Sequence, residues 1–381
     1  MAMLSQTFSY LYETFWSENF WLGDGARWDD LISDDPSVYY PKLSDMNWSI
    51  VVGAILVFAR HLWDKFLIHP LANSLGLRER KNITLVPSPV LEAYYKTSGW
   101  KPNKVDLQGL VKQTDLTQRQ VERWLLKRRV RDLPSTMYKF KECSWQVLFY
   151  TAASLWGIYS LWRKPYLWVT VNCWVGWPKQ HVETDIFTLY LIELSFYWSL
   201  LFAMVFGKDY HKGKKEMVLH HIITILLIYF SWAVNMVRVG SLVILVHDIA
   251  DPWINLVKMA KYVKWDRTAE VLFTIFMIIW IVSRLFVYPL WVLNASAIEI
   301  YDYVISWPAY WIFNGLLVFL QILHIWWTYL LLSIAFQQLT TRDVEKDSRS
   351  ESDPEISDSS EEEKSSSPVT LPAERAKLKS V

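Results

Sequence analysis

The chain has 381 residues, of which 52% are apolar and 16% aromatic, with 23 tryptophans, a composition that excludes an ordinary soluble domain and points to lipid. Its net charge of +1 hides an uneven distribution, with basic residues crowding positions 78–141 and acids following position 344. Two cysteines, Cys143 and Cys173, exclude a disulfide framework and a cysteine-based metal site.

Residues 1–45 are mixed polar and acidic and lack the basic start, short apolar core and small-residue cleavage site of a signal peptide. Apolar runs long enough to cross hydrocarbon predict seven spans, at 46–66, 145–162, 186–206, 216–235, 240–258, 269–293 and 309–336. Lys208, Lys212, Lys214 and Lys215 precede the fourth span, and Lys258, Lys261, Lys264 and Arg267 follow the fifth, which marks those sides as cytosolic. The division that follows is a luminal segment 1–45, a first span 46–66, a cytosolic segment 67–131, a six-span domain 132–338 and a cytosolic tail 339–381. Trp162, Trp168, Trp174, Trp177, Trp291 and Trp307 fall near span ends, where indole rings favour the headgroup layer. Sequons at Asn47, Asn82 and Asn294 lie on the cytosolic side or hard against the membrane, so no glycosylation is expected.

Within the cytosolic segment, residues 107–131 read as a helix, a turn around Thr114-Asp115 and a second helix with Thr117 as N-cap. The stretch VERWLLKRR resembles the recognition helix of a homeodomain, but the position matching that family's adenine-reading Asn is Lys127. About half of such a domain is legible, on a chain fixed in a membrane, which weighs against DNA as a partner and favours a basic surface facing anionic headgroups or phosphates.

Ionisable groups inside spans are costly and mark function by default. Treated as one helix, the fourth span sets His220, Thr224, Ser231, Asn235 and Arg238 on an arc of roughly 60°, with His221 about 100° to one side. In the fifth span His247, Asp251 and Asn255 recur every four residues, and Asp248 precedes Asp251 by three. Two such faces enclose a cavity. The seventh span adds Asn314, Gln321, His324 and Thr328, and the third adds Glu193, Ser195 and Tyr197. For His324 and Glu193 alone, an interhelical hydrogen bond accounts for the residue equally well. For the adjacent histidines with His247-Asp248 and Asp251, packing glue is far harder to sustain. Adjacent histidines diverge on a helix and no H-x-x-x-H pair shares a face, so no metal is expected.

The stretch MVLHHIITILLIYFSWAVNMVRVGSLVILVHDIADPWINLVKMAKY, Met217 to Tyr262, resembles the signature region of ceramide synthases within the TLC-domain superfamily, with its HH, S-x-x-x-N-x-x-R-x-G and HD-x-x-D elements in order. The likeness extends to ENFWL, YPKLSD, ELSFYWSL, PLWVLN and the FNGLL-to-Q-x-x-H run. It implies an all-α membrane protein of about seven transmembrane helices, six forming a TLC-type bundle around a central cavity, plus the small cytosolic homeodomain-like segment. The implied reaction moves a fatty acyl group from acyl-CoA to the amine of sphinganine or sphingosine, in the endoplasmic reticulum membrane, giving dihydroceramide or ceramide. No cofactor beyond the acyl-CoA substrate is implied, and the partners are long-chain acyl-CoA, sphingoid base, membrane lipid and a second synthase chain in a homo- or heterodimer.

By the same resemblance His220 and His221 carry the catalytic HH pair and Asp248 and Asp251 the acids, while Ser231, Asn235, Arg238 and His247 are expected to bind substrate. A neutral imidazole can attack the thioester to give an acyl-imidazole, or act only as general base for the amine, and both routes remain open. Either needs a carboxylate to hold the imidazole tautomer. His220, on the polar arc, is the expected nucleophile. Chain-length choice is expected near the loop Ala295 to Tyr310, whose flanks PLWVLN and YWIFNGLL look most like members that prefer acyl chains around palmitoyl. The rival from another class is a non-enzymatic TLC-domain lipid sensor or transporter; the inverted repeats that would favour a transporter are not seen.

After Gln338 the sequence becomes acidic and serine-rich, DVEKDSRSESDPEISDSSEEEKSSS, a composition that cannot bury enough apolar surface to order itself. Ser348, Ser350, Ser352, Ser359 and Ser360 each have an acid three positions on and are candidates for an acidophilic kinase.

Overall fold

In hydrocarbon every backbone polar group must find its partner within the protein, which a helix provides along its own length. The computed structural model describes residues 10, 12–23, 25–80, 82–206, 214–304 and 307–340, and every regular element among them is helical. The tail with its five candidate serines, as well as Lys208 and Lys212, lies outside the described residues.

Helix α1 (Trp48–Trp63) continues through a π-helical turn (Asp64–Ile68) to Ser74. Three short helices follow: α2 (Pro89–Ser98), α3 (Lys104–Thr114) and α4 (Gln118–Asp132). The remaining helices are α5 (Thr136–Leu161), α6 (Thr184–Phe206), α7 (Lys214–Ala233), α8 (Val237–Asp248), α9 (Asp251–Tyr262), α10 (Asp266–Trp280) and α11 (Pro308–Thr340). Five of the seven expected spans are helices long and apolar enough to cross a membrane, at 184–204, 215–233, 237–262, 266–302 and 308–337. The other two expected spans fall on α1 and α5. Their hydropathy is diluted by charges in α1, at Arg60 and His61, and in α5 by uncharged polar and aromatic residues, Gln146, Tyr150, Ser154, Tyr159 and Ser160.

The bundle closes through small residues and aromatic faces. Helix α1 lies along α6, where a Cβ on Gly53 would stand 3.1 Å from the Ser195 carbonyl oxygen. Helix α5 packs on α8 and α9, and Phe149 stacks on Phe196 of α6 with ring centres 3.5 Å apart. The N-terminal segment covers one end of the bundle, with Trp21 stacked on Phe230 at 4.7 Å and the Trp232 indole donating to the Lys42 carbonyl.

The sixth expected span is not a plain α-helix. From Ile281 to Leu293 it is π-helical with Pro289 inside, and a proline without an N–H cannot close an α-turn there. The tryptophans also divide. Trp162, Trp168 and Trp291 are exposed, as a headgroup belt requires, but Trp174 and Trp307 are buried and Trp177 is half-buried. Trp174 donates to Ala295 O and Trp177 to Val234 O, so these indoles fasten loops instead of facing lipid.

The segment between α1 and α5 holds one helix more than the two expected. PVLEAYYKTS forms a further helix, α2, started by Ser88 as N-cap and Pro89 in the first turn. Leu91 from α2 is buried among Leu107, Leu110, Val121, Trp124 and Leu125, giving the three helices a small core of their own. The expected Thr117 cap is present as a capping box with Gln120. Arg128, within VERWLLKRR, is committed internally: its Nε and Nη2 donate to Glu92 at 2.8 and 3.0 Å and its Nη1 pairs with Asp132. This guanidinium holds the Glu92 carboxyl below its ordinary range.

Candidate active site

Three helices bring polar groups to one depth. Glu193 lies nine residues into α6 from Thr184, Thr224 nine residues before the end of α7 at Ala233, and Asp248 eleven residues into α8 from Val237. At about 1.5 Å per residue all three sit roughly 14–17 Å from that end of the bundle, near mid-span. They line a mainly apolar cavity together with His247, Asn314 and Ser231, and its far wall reaches Ser296 and Ile300, within the loop expected to gauge the acyl chain. Close approach shapes its wall at Gly240, where a Cβ would fall 1.8 Å from the Tyr190 hydroxyl. That hydroxyl also lies 3.2 Å from Ser231 Oγ.

His220 sits one turn beyond Thr224, whose hydroxyl donates to the His220 carbonyl. Its ring centre is 5.5 Å from His221, 6.5 Å from His247 and 5.4 Å from Trp327. His221 instead faces Tyr197, 5.5 Å away. The Nδ1 atoms of both adjacent histidines are buried without a hydrogen-bond partner.

His247, expected to bind substrate, keeps both ring nitrogens within the protein. Its Nδ1 is 2.7 Å from the Val243 carbonyl, which can only accept, so Nδ1 carries the proton. Its Nε2 lies 3.1 Å from His324 Nε2. When both rings are neutral, His324 must therefore be the donor and His247 the acceptor. The His247 ring still walls the cavity, but neither nitrogen is free for substrate. His324 is held in turn by a chain in which Trp280 Nε1 donates to Thr328 Oγ1 and that hydroxyl donates to the His324 carbonyl.

The arc drawn through the fourth span ends at Ser231. Helix α7 stops at Ala233, the chain turns through Asn235 at φ 55°, and Arg238 belongs to α8. Asn235 is buried and donates to Pro178 O and Gln180 O, while Arg238 donates to Asn172 O. Neither residue lines the cavity, because extrapolating one helical period through a left-handed turn misplaces everything after it. Asn is among the few residues that tolerate that turn, and this was the available signal.

Arg284 is the functional candidate that the motif region did not point to. It is buried in the π-helical segment and donates to Val246 O and His247 O, both at 2.6 Å. It enters where α8 breaks from α9 at Ile249–Ala250, and it caps two of the carbonyls that the break leaves free. Its Nη2 is also 3.8 Å from Asp251 Oδ1. An arginine inside an apolar run would have been flagged by the same rule that selected His220.

Residues 139–333 match the family model of the TLC domain, so fold and sequence together define a TLC-domain membrane protein. The chain is 36% identical to human ceramide synthase 5 over 355 residues, covering 93% of this chain and 89% of that protein. It is 38% identical to human ceramide synthase 3 over 322 residues, 84% of this chain and 83% of the relative. Ceramide synthase hyl-1 of Caenorhabditis elegans is 29% identical over 351 residues, 88% of this chain and 84% of its own length. The chain belongs to the ceramide synthase family.

Proposed function

We propose that the protein is a ceramide synthase that transfers a fatty acyl group from acyl-CoA to the amine of sphinganine or sphingosine. The observation that carries this is the apolar cavity with Thr224, Glu193, His247 and Asp248 in its wall and the His220-His221 pair one turn away. An acyl chain needs apolar walls and acyl transfer needs a nitrogen base and a carboxylate at one end of them.

In the covalent route His220 attacks the thioester carbonyl, the C–S bond breaks, and the thiolate leaves with a proton. The free amine then attacks the acyl-imidazole, the bond to His220 breaks, and the amine's proton passes to His221 or a carboxylate. In the general-base route His220 takes the amine's proton as the amine attacks the thioester directly, the C–S bond breaks, and the thiolate leaves with that proton. Asp251, beside Arg284, supplies a fixed negative charge near His247 in both. Ser231 stays with the cavity wall, while Asn235 and Arg238 are assigned to the turn.

The basic end of the bundle faces the cytosol of the endoplasmic reticulum membrane, with the N-terminus luminal, in keeping with Lys258, Lys261 and Arg267 beside the α9–α10 turn. Acyl-CoA then enters from the cytosol and its chain runs toward Ser296 and Ile300. A preference near palmitoyl, assembly as a homo- or heterodimer and phosphorylation of the tail serines belong to the same proposal. No cofactor beyond acyl-CoA is required.

Purified protein supplied with palmitoyl-CoA and sphinganine tests this, with product read by mass spectrometry. N-palmitoyl-sphinganine supports the proposal, whereas binding of both lipids without product would favour the lipid-sensor alternative. An acylated protein mass in the absence of amine supports the covalent route over the general-base route.

A further inference from the structure

Charge buried in the bundle does not balance. The acids at its centre are Glu193, Asp248 and Asp251, and the cation buried with them among the described residues is Arg284. Arg284 is taken: its Nη2 faces Asp251, two of its nitrogens donate to carbonyls, and Asp251 also feels Lys258. Glu193 and Asp248 are left. Their relative exposures are 0% and 1%, both line the cavity, and their four carboxyl oxygens have no hydrogen-bond donor beyond the facing carboxyl. They are also close enough to act on one another.

Among the described residues, the only hydrogen bond within reach of either carboxyl is with the other, and it needs a proton held between them. Two carboxylates side by side at low dielectric repel unless they share a proton or a cation lies between them, and a bound cation can take the place of that proton. A primary ammonium fits, because it brings one positive charge and three N–H donors on a single small atom. A guanidinium is too broad and a quaternary amine has no donor.

We infer that Glu193 and Asp248 together form the binding site for the ammonium group of the long-chain base, with Glu193 as a substrate-binding residue. Thr224, bonded to the His220 carbonyl, lies at the same depth, so the ammonium is held about one helical turn, roughly 5 Å of rise, from the His220 level. This deepens the proposed acyl transfer and rests on it for the identity of the amine.

The test varies each substrate separately with purified protein. Glu193→Gln keeps the shape and removes the charge, and it raises the KM for sphinganine about ten-fold while the KM for palmitoyl-CoA stays within about two-fold. Unchanged KM values, or both rising together, overturn the site. If Glu193→Gln does not fold, thermal stabilisation of the unaltered protein decides: sphinganine raises the Tm more than octadecane-1,3-diol, which lacks only the amine. Equal shifts overturn the site. Failure of the two ideas is distinguishable, since protein that sphinganine stabilises selectively but that makes no ceramide contradicts the proposed reaction and supports the ammonium site. Ceramide formation with an unselective Glu193→Gln overturns the site alone.

Discussion

The polar residues of the membrane bundle and those of the small α2–α4 unit are treated oppositely. In α2–α4 the interior is six apolar residues, and Arg128, on the helix that resembles a DNA reader, is fully occupied by Glu92 and Asp132. At the centre of the bundle, where an unpaired polar group costs far more, the Nδ1 atoms of His220 and His221 have no partner, and Glu193 and Asp248 have none beyond each other. The difference separates polar residues that hold a fold from those that wait for a ligand. Arg128 looks functional in one dimension and is structural in three; Glu193 looks like glue in one dimension and in three meets only another carboxyl, Asp248.

The contrast can be broken most sharply at the histidines. His220→Ala should lower turnover by about 10³-fold, and His221→Ala by about ten-fold, in a ceramide-forming assay of folded protein. A dead His221→Ala with a near-normal His220→Ala would contradict the choice of His220, one turn from Thr224, as the reacting histidine. Next comes Arg284, the buried cation at the centre. Arg284→Met leaves Asp251 unbalanced and two carbonyls without donors, and should cost about 3 kcal/mol of stability, read as a fall in Tm. An unchanged Tm would mean that the break between α8 and α9 does not need its guanidinium.

The bond between His324 and His247 should have a smaller effect and a specific one. His324→Gln can still donate to His247 Nε2 and should retain turnover within about three-fold, while the similarly long His324→Met should lose about ten-fold. Equal behaviour of the two variants would remove His324 from the site. The smallest effect belongs to the paired unit. Arg128→Met should loosen α2–α4 by about 0.5 kcal/mol, seen as faster amide exchange in α2 and α4, with turnover unchanged. Because Arg128 lowers the Glu92 pKa, this stabilisation is present above the ordinary carboxylate range and is lost as pH falls through the lowered value, so the difference between variant and parent should vanish in acid.

Spans were legible because hydrocarbon leaves the backbone few choices, and the five most apolar helices fall where hydropathy puts them. His220, His247 and Asp248 were legible because charge in a span is expensive. Periodicity failed where a turn interrupts it: three residues, Val234, Asn235 and Met236, separate what looked like one polar face. It also could not show the break between α8 and α9 that Arg284 accommodates, or that Pro289 opens the ladder of the π-helical segment, since that depends on which helix lies alongside. The partner of a buried group is a tertiary fact. Hence His247, which the motif offers to substrate, is found bonded to His324 from a helix 77 residues away.

The account stands or falls on whether the unpaired cluster performs acyl transfer. The most direct measurement supplies purified parent protein and the His220→Ala, His221→Ala double variant with palmitoyl-CoA and sphinganine and quantifies N-palmitoyl-sphinganine. Ceramide from the parent and none above background from an equally folded double variant is the predicted result. Equal product from both, or none from the parent, would contradict it.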